Sequence, residues 1–261
     1  MKFECIVVLY NVNYKESVSY MNLIQTDCYK AGNIEIICVD NSVSDFANDE
    51  LMSFKNHFYI NMHGNQGLPK AYNAAIEYLM QKGKDAERLI VLLDDDTHIG
   101  DEYFEKMEKA WAMGYDIYLP IVKDQEGILS PSIMKAYRCR RCSSLEQINE
   151  TNICGINSGM AIRHSVFKNY RYNEEMFLDY VDHYFIRDMK QFGKKIMIVP
   201  TVLQQNFSST TDSYEQTIKR FEIFKKDIKV FYSRNVMDRI IYLYIVLRRK
   251  TGILLKFKKI M

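Results

Sequence analysis

The stretch Leu89-Ile90-Val91-Leu92-Leu93-Asp94-Asp95-Asp96-Thr97 is an apolar run that ends in three consecutive acids. The run predicts a buried strand, but adjacent carboxylates repel one another and lose hydration unless a cation or a hydrogen-bonding ligand compensates them. In an extended segment Asp94 and Asp96 lie on one side, which suits a hard divalent cation with open positions for a diphosphate. Asp95 then points the other way or reaches a sugar hydroxyl. The alternative is a strand-to-helix loop in which an Asp caps the helix.

Strands and helices alternate on both sides of this run. The pattern predicts strands over 3–10, 34–39, 58–62 and 89–93, and helices over 17–31, 69–81 and 101–113. This order predicts an α/β fold with a doubly wound, mostly parallel central sheet and flanking helices. In such sheets ligands bind at the carboxyl ends of the strands. Three of these ends carry polar clusters, which are Asn11, Asp40-Asn41-Ser42 and Asp94-Asp95-Asp96. We therefore expect a ligand site at that edge.

The second half of the chain is less regular. Short strands are expected over 117–122, 157–162 and 195–199, with a helix starting at His164 and another over 185–192. Asp182 precedes the last of these helices and could simply cap it. No internal repeat or low-complexity segment occurs.

Composition indicates a folded protein, since 48% of the 261 residues are hydrophobic and 26% are charged. The net charge of +2 conceals an asymmetry: from Lys219 onward thirteen Lys and Arg accompany three acids, a net +10, and the rest carries −8. The basic end is patterned as helices, with Ile240, Ile241, Tyr244 and Leu247 along one apolar side. This pattern predicts an anchor on an anionic membrane surface. The alternative is a helical hairpin packed against the core or a second subunit; nucleic acid fits the acidic body poorly.

The six cysteines show no disulfide framework, which favours a reducing cytosol. Cys139-x-x-Cys142 is a lone pair in a basic stretch, and a reduced surface is favoured there over zinc binding or redox chemistry. A strand is expected to begin at once at the N-terminus, so no signal peptide is evident, and no apolar stretch approaches the roughly 20 residues of a membrane span.

Several ordered motifs together resemble the inverting GT-A nucleotide-sugar glycosyltransferases of family 2, above all the rhamnosyltransferase-like and galactofuranosyltransferase-like branches. The motifs are Val8-Leu9-Tyr10-Asn11, Val39-Asp40-Asn41-Ser42, Asn65-Gln66-Gly67 with Lys70-Ala71-Tyr72-Asn73, Asp94-Asp95-Asp96, Asn157-Ser158-Gly159, and Phe177-Leu178-Asp179-Tyr180-Val181-Asp182-His183. The resemblance spans roughly residues 3 to 250. It implies a GT-A domain over 1–212, followed by a basic amphipathic helical segment over 213–261.

The resemblance also implies residue roles. Asp40 would contact the pyrimidine or ribose of a nucleotide diphosphate beside Tyr10 and Asn11, and Asp182 would be the general base, with Asp179 as the alternative. The other implied donor contacts are Asn65, Gly67, Asn73, Asp94 and Asp95. Asn157, Ser158, Gly159 and His183 would lie on the acceptor or diphosphate side. Asp96 and Asp94 would bind Mg²⁺ or Mn²⁺, with Gln205 where many relatives have a metal-binding His.

We therefore expect an inverting transferase that moves a sugar from dTDP-rhamnose or a UDP-hexose to a cell-surface polysaccharide or lipid-linked acceptor. The expected location is cytoplasmic, peripheral on the inner face of the cell membrane, with a homo-oligomer as an open option. The alternative is a degenerate nucleotide-binding α/β protein with an interaction role. A nucleotidyltransferase is disfavoured, because the loop Asn11-Val12-Asn13-Tyr14-Lys15 lacks glycine.

Overall fold

The computed structural model describes residues 1–83, 88–135, 137–205 and 213–258. The expected boundary at residue 212 lies outside these described residues. The described residues form twelve strands: β1 (Lys2–Leu9), β2 (Ile34–Asp40), β3 (His57–Asn61), β4 (Arg88–Asp94), β5 (Thr97–His98), β6 (Ile117–Asp124), β7 (Gly127–Ser130), β8 (Ser132–Lys135), β9 (Arg138–Arg141), β10 (Ile153–Cys154), β11 (Ala161–Arg163) and β12 (Ile196–Gln205). The α-helices are α1 (Val18–Gln25), α2 (Asp27–Lys30), α3 (Leu68–Gln81), α4 (Asp101–Trp111), α5 (Val181–Gln191), α6 (Tyr214–Phe231) and α7 (Val236–Phe257).

The main sheet has the order β3-β2-β1-β4-β11-β6-β12-β5, and β7 pairs with β6. The half formed by β3, β2, β1 and β4 is parallel, as expected. Beyond it the sheet is mixed rather than mostly parallel, because β11 lies antiparallel between β4 and β6. A small second sheet has the order β10-β8-β9. The α/β fold class is confirmed, with a mixed sheet.

Two expected elements differ from the structure. The helix expected over 17–31 is broken at Thr26, whose hydroxyl donates to the Leu23 carbonyl and accepts from the Tyr29 amide, so it ends α1 and begins α2. The strand expected over 157–162 is limited to β11. Residues 157–159 form a turn instead, in which the Met160 amide donates to the Asn157 carbonyl over 2.8 Å.

Alternating side chains of the parallel strands divide the core into two clusters, one on each face of the sheet. Ile90 and Leu92 of β4 pack on the face covered by α3, α5 and α6. Leu89, Val91 and Leu93 pack on the opposite face with α4. Continuing the alternation, Asp94 ends β4 on the side of Ile90 and Leu92. The register of β4 therefore directs the first acid towards the face that α6 covers.

The two C-terminal helices are part of this core. Phe221, Phe224 and Ile228 of α6 are buried, and so is Ile253 of α7. Ile241, expected on an exposed apolar side, packs against the core. Its neighbours along the outer side of α7 stay exposed, namely Val236, Met237, Ile240, Leu243, Tyr244, Leu247, Leu254 and Leu255. Within the described ranges, each helix is too short or too polar to span a membrane.

Candidate active site

The acid triplet opens into a cleft of about 1090 Å³ at the carboxyl ends of β1 and β4. Seven residues of the sequence prediction line it: Tyr10, Asn65, Gly67, Asp94, Asp95, Asp96 and Gln205. The remaining lining residues are Val8, Asn41, Leu68, Phe177, Leu178, Gln216, Lys219, Arg220 and Ile223. The cleft is thus shared between the sheet edge and α6.

Gln205 meets the acid triplet because β12 pairs with β5. In this antiparallel register Gln205 lies opposite Thr97, the residue that follows the triplet. Its Nε2 donates to Asp94 Oδ2 and to Asp96 Oδ1, each over 3.2 Å. Among the residues that the structure describes, no hydrogen-bond partner lies at the buried Gln205 Oε1. The amide therefore compensates two carboxylates while leaving its own carbonyl unsatisfied.

The pKa values of these acids report the cost of placing them together. Burial, followed by the charges of Asp96 and Asp95, raises the pKa of Asp94 to about 7. Burial also raises the pKa of Asp95 and Asp96. Like-charged oxygen ligands with an unsatisfied amide carbonyl beside them are a donor set that fits Mg²⁺ or Mn²⁺. Rotation of the Gln205 amide would exchange its nitrogen for the carbonyl oxygen.

Tyr10 and Asp95 form one wall of the cleft. The Tyr10 amide donates to Asp95 Oδ2 over 3.4 Å, and the Tyr10 side chain is 48% exposed. Next to it, Asn41 Nδ2 donates to Asn65 Oδ1 over 3.1 Å, which joins the ends of β2 and β3. The exposed ring of Tyr10 can stack on a base, and the amide and carboxylate groups beside it can hydrogen-bond the attached sugar.

Asp40 and Asn11 hold the adjoining loops instead of lining the cleft. Asp40 Oδ2 accepts from Asn48 Nδ2 over 2.8 Å and from the Tyr59 hydroxyl over 3.2 Å, while Oδ1 accepts from the Ser42 amide. The Asn11 amide donates to Ser42 Oγ over 2.8 Å. Both side chains therefore position the polar strand ends, and the donor contact expected for each stays a prediction.

Gly67 lines the cleft and also lies against a second backbone segment, and its expected donor contact stays a prediction. It adopts φ +86°, and a Cβ atom there would lie 2.7 Å from the backbone oxygen of Phe177. The same oxygen accepts a hydrogen bond from the Leu68 amide over 2.8 Å. The close backbone approach that requires glycine is therefore that of the 177–182 segment to the start of α3.

Asn73 and the 157–159 turn lie outside the cleft lining. Asn73 Nδ2 donates to the Tyr172 carbonyl and to Glu174 Oε1, each over 2.9 Å, so its buried amide braces the 172–174 loop. Ser158 Oγ accepts from the Asp94 amide over 3.2 Å. Gly159, with φ +80°, donates its amide to the Leu92 carbonyl over 2.7 Å. The Asn157 side chain is buried beside Tyr172. Ser158 and Gly159 therefore hydrogen-bond to the end of β4, whereas Asn73 and Asn157 contact the 172–174 loop.

Asp182 lies in the first turn of α5 but does not cap it. The helix begins at Val181 after Tyr180, whose left-handed backbone has φ 63°. Burial raises the pKa of Asp182, and the neighbouring His183 opposes this shift. The charge of Asp182 in turn contributes, after burial, Asp96 and Asp95, to the raised pKa of Asp94. The two carboxylates are therefore within electrostatic reach of each other.

His183 connects Asp182 to two cysteines. Its Nδ1 lies 3.3 Å from Asp182 Oδ1 and 3.0 Å from Cys154 Sγ. Burial lowers the pKa of His183, but the Asp182 carboxylate and a hydrogen bond to Cys139 outweigh it and raise this pKa to about 9. The imidazole and the Asp182 carboxylate therefore interact favourably at this position.

Helix α6 contributes groups that the sequence analysis did not identify, and one of them contacts Asp179, the alternative base. Arg220 Nη2 donates to Asp179 Oδ1 over 2.8 Å. The fully buried Asp227 accepts from the backbone amides of Phe177, Leu178 and Asp179 over 2.7 to 2.8 Å. Gln216 and Lys219 line the cleft with Arg220. Their one sequence signal was the helical, basic pattern of this segment, which was interpreted as a surface anchor.

Comparisons with known proteins agree with this geometry. The profile of the family described as glycosyl transferase family 2 matches residues 6–171. The dTDP-rhamnosyl transferase RfbF of Shigella flexneri is 26% identical over 205 residues, which cover 73% of this chain and 65% of that protein. The chain thus spans less than two thirds of the length of this relative.

Two solved structures share the fold at low sequence identity. GalNAc-T7, solved with UDP, GalNAc and Mn²⁺, is 13% identical with a TM-score of 0.62, over 89% of this chain and 48% of its own. S. aureus TarS 1-349, solved in complex with UDP, is 17% identical with a TM-score of 0.56, over 97% of this chain and 72% of its own. The GT-A-like architecture is therefore confirmed. Together with the profile match over more than half of its length, this shows that the chain belongs to glycosyl transferase family 2.

Proposed function

We propose that this protein is an inverting glycosyltransferase that moves a sugar from a nucleotide diphosphate to an acceptor hydroxyl. dTDP-rhamnose is the favoured donor, because the curated relative carries that name, and a UDP-hexose is the alternative. The observation that carries the proposal is the cleft that combines the acid triplet with Lys219 and Arg220 of α6. A cleft with carboxylates and cations together can bind a metal–diphosphate group.

On the donor side, Tyr10 is the stacking surface for the base, and Asp95 and Asn65 are hydrogen-bonding groups for the nucleoside. Asp94, Asp96 and Gln205 would hold Mg²⁺ or Mn²⁺, which when bound supplies positive charge for the departing diphosphate. Lys219 and Arg220 add two further cations at the same cleft. The chain's own cations thereby stabilise the charge that accumulates as the sugar leaves.

The general base of the proposal is Asp182. A sugar hydroxyl is a weak nucleophile, and a positioned base contributes about 10²–10⁴-fold to its transfer. Burial raises the pKa of Asp182, which favours acceptance of a proton, whereas His183 opposes this shift and lies 3.3 Å from the carboxylate, where it can orient it. Asp179 is less suited, because Arg220 already holds one of its oxygens. Direct displacement with one base and no enzyme nucleophile inverts the anomeric centre.

The acceptor is proposed to be lipid-linked and to enter beside Tyr180, which lies between the two candidate bases. A cavity of about 490 Å³ there is lined by Arg138, Tyr180, Phe224, Ile245, Arg248, Arg249, Gly252, Ile253 and Lys256. Four cations next to apolar side chains match a phosphorylated head group on an apolar chain. The exposed apolar side of α7 borders the same helix positions and is proposed to rest on an anionic membrane surface.

Asp182→Asn tests the proposed reaction. The amide keeps the shape of the side chain but cannot accept a proton, so we expect transfer to fall by about 10²–10⁴-fold with donor affinity retained. Transfer from dTDP-rhamnose and UDP-hexoses and donor-induced thermal shifts, with and without Mn²⁺, provide the two readouts. Glu105→Gln on the exposed side of α4 is the matched control for the loss of one acid.

The two readouts separate the alternatives. Full turnover in Asp182→Asn together with lost turnover in Asp179→Asn would move the base to Asp179. If no nucleotide changes the melting temperature of the wild-type protein, with or without metal, the result would contradict the transferase and favour a degenerate interaction domain.

A further inference from the structure

Three potential metal ligands from separate elements meet next to Asp182. The Sγ atoms of Cys139 on β9 and Cys154 on β10, and a ring nitrogen of His183 on α5, all lie within 4.8 Å of one another. Cys154 Sγ is 3.0 Å from His183 Nδ1. Cys154 is buried and the other two are half-buried. This spacing allows a single ion to touch all three atoms.

Cys139 lies beside Cys154 and not beside Cys142, its neighbour in the C-x-x-C stretch. Cys142, the second cysteine of the C-x-x-C stretch, directs its Sγ to the Pro131 carbonyl at 3.2 Å. Cys139 Sγ lies instead 2.8 Å from Ser132 Oγ and within reach of Cys154, fifteen residues farther along the chain. The small β10-β8-β9 sheet produces this arrangement by bringing β9 and β10 to the N-terminal end of α5.

The ligand chemistry differs from that of the acid triplet. Two thiolates and an imidazole are soft and borderline ligands, which select Zn²⁺ over Mg²⁺ or Mn²⁺. Asp182 Oδ1 lies 3.3 Å from the same ring nitrogen of His183. The Asp182 carboxylate therefore adjoins this cluster through His183.

We propose that Cys139, Cys154 and His183 hold a zinc ion at a site separate from the carboxylate cleft, with the fourth position left to solvent. Occupancy by Zn²⁺ would tie β9 and β10 to α5 and would place a dication near the Asp182 carboxylate, which lies 3.3 Å from His183. A nearby dication lowers the pKa of a carboxylate, so Asp182 would be a weaker proton acceptor and zinc would inhibit transfer. This last consequence rests on the proposed function, whereas the metal site itself does not.

Cobalt titration of the reduced, tag-free full-length protein tests the site without any activity. Co²⁺ bound by thiolates gives a charge-transfer band and intense visible bands, which oxygen ligands do not give. We expect one equivalent of such Co²⁺ in the wild type and none in Cys139→Ser or Cys154→Ser. Cys142→Ser is the matched control and should keep the full signal, because its thiol points to Pro131. Thermal melting verifies that each variant is folded.

Several outcomes would overturn the site. If the wild-type protein shows no thiolate band with Co²⁺, the three side chains form a hydrogen-bonded cluster and do not bind metal. Loss of the band in Cys142→Ser would assign the metal to the C-x-x-C pair. Recovery of a Cys139–Cys154 disulfide from freshly purified, unreduced protein, with no bound zinc, would replace the metal by a covalent link.

Asp96→Ala separates this proposal from the proposed function. It removes a carboxylate of the cleft and should leave the thiolate band intact. In transfer assays with saturating Mg²⁺, Zn²⁺ should inhibit the wild type and Cys142→Ser and should leave Cys154→Ser unaffected. Zinc that binds with the thiolate signature but leaves transfer unchanged would contradict its effect on Asp182 and would leave the metal site itself standing.

Discussion

Asp94 couples the acid triplet to pH. An aspartate in the unfolded chain titrates near pH 4, whereas burial beside Asp96 and Asp95 raises the pKa of Asp94 in the folded chain to about 7. The folded state therefore binds the proton more tightly. The stability gained from protonated Asp94 is complete below the unfolded pKa and is lost as the pH rises through about 7.

We expect the melting temperature of the metal-free protein to fall as the pH rises over that window. The difference between the two pKa values of Asp94 corresponds to a loss on the order of 4 kcal/mol in the free energy of unfolding. Asp94→Asn should flatten this dependence, because the amide does not titrate. Mn²⁺ affinity should rise across the same window, since the ion competes with the proton. Differential scanning calorimetry at several pH values measures the effect. A profile unchanged by Asp94→Asn would show that another group carries it.

Gly67 offers a second prediction at this scale. Gly67→Ala places a Cβ against the Phe177 backbone at 2.7 Å and on a left-handed residue. Strain and overpacking together should cost on the order of 3 kcal/mol. Gly64→Ala is the matched control, because Gly64 also has positive φ but a Cβ added there would meet nothing within 4 Å; it should lose only about 1 kcal/mol. Equal losses in urea unfolding would mean that the Phe177 contact is unimportant.

Among the elements, α6 links the core to the candidate base. Its inner side carries Phe221, Phe224 and Ile228 into the core, and Asp227 on the same helix accepts three backbone amides of the 177–179 segment. The N-terminal half of α6 supplies Lys219 and Arg220 to the cleft. A displacement of α6 would therefore move a cleft wall and the segment before Asp182 together.

Asp227→Ala tests this coupling. Three amides lose their acceptor, and buried donors without partners cost about 1–3 kcal/mol each, so we expect a loss on the order of 3 kcal/mol in stability. Donor affinity and transfer should both decline, unlike in Asp182→Asn. Glu222→Gln, exposed on the same helix, is the control and should change neither. Unfolding curves measure the stability of each variant, and donor titrations on the same sample measure its donor affinity. Normal transfer in a destabilised Asp227→Ala would separate α6 from the base.

At the scale of the molecule, α7 presents a long apolar side to solvent. Leu243 is 63% exposed and Leu247 65%, in a segment with exposed Arg239, Arg248 and Lys250. Apolar side chains flanked by cations match the interface of an anionic bilayer, to which each basic residue contributes about 1 kcal/mol. The inner side of the same helix is already used by the core.

We expect the full-length protein to sediment with vesicles containing anionic lipid, and less so with neutral vesicles or at high salt. Replacing Leu243 and Leu247 together by Glu should abolish sedimentation without unfolding the chain, since both are exposed. Met113→Glu, at a side chain 63% exposed at the end of α4, is the matched control and should retain binding. A stable dimer in solution that this double variant dissociates would assign the surface to a second subunit.

The strands and their ends were predictable from the sequence. Four apolar runs gave the parallel half of the sheet, and the rule that ligands bind at carboxyl strand ends brought Tyr10, Asn65 and the acid triplet into one cleft. These features depend on side-chain alternation along neighbouring residues, which the sequence displays directly. The antiparallel position of β11 was not visible, because a three-residue strand carries too little pattern.

Tertiary structure alone decided which distant residues meet. The C-x-x-C stretch favoured a reduced surface at Cys139 and Cys142, whereas the sheet β10-β8-β9 brings Cys154 to Cys139. Gly67 was expected beside the donor, and only the folded chain shows that the Phe177 backbone also packs against it. The basic 214–231 segment suggested a surface anchor, whereas α6 packs into the core and lines the cleft. The sequence determined the strands, the acid triplet and the family, since local periodicity and ordered motifs specify them. Contacts between remote segments depend on how helices pack across the sheet, and only the folded chain decides that.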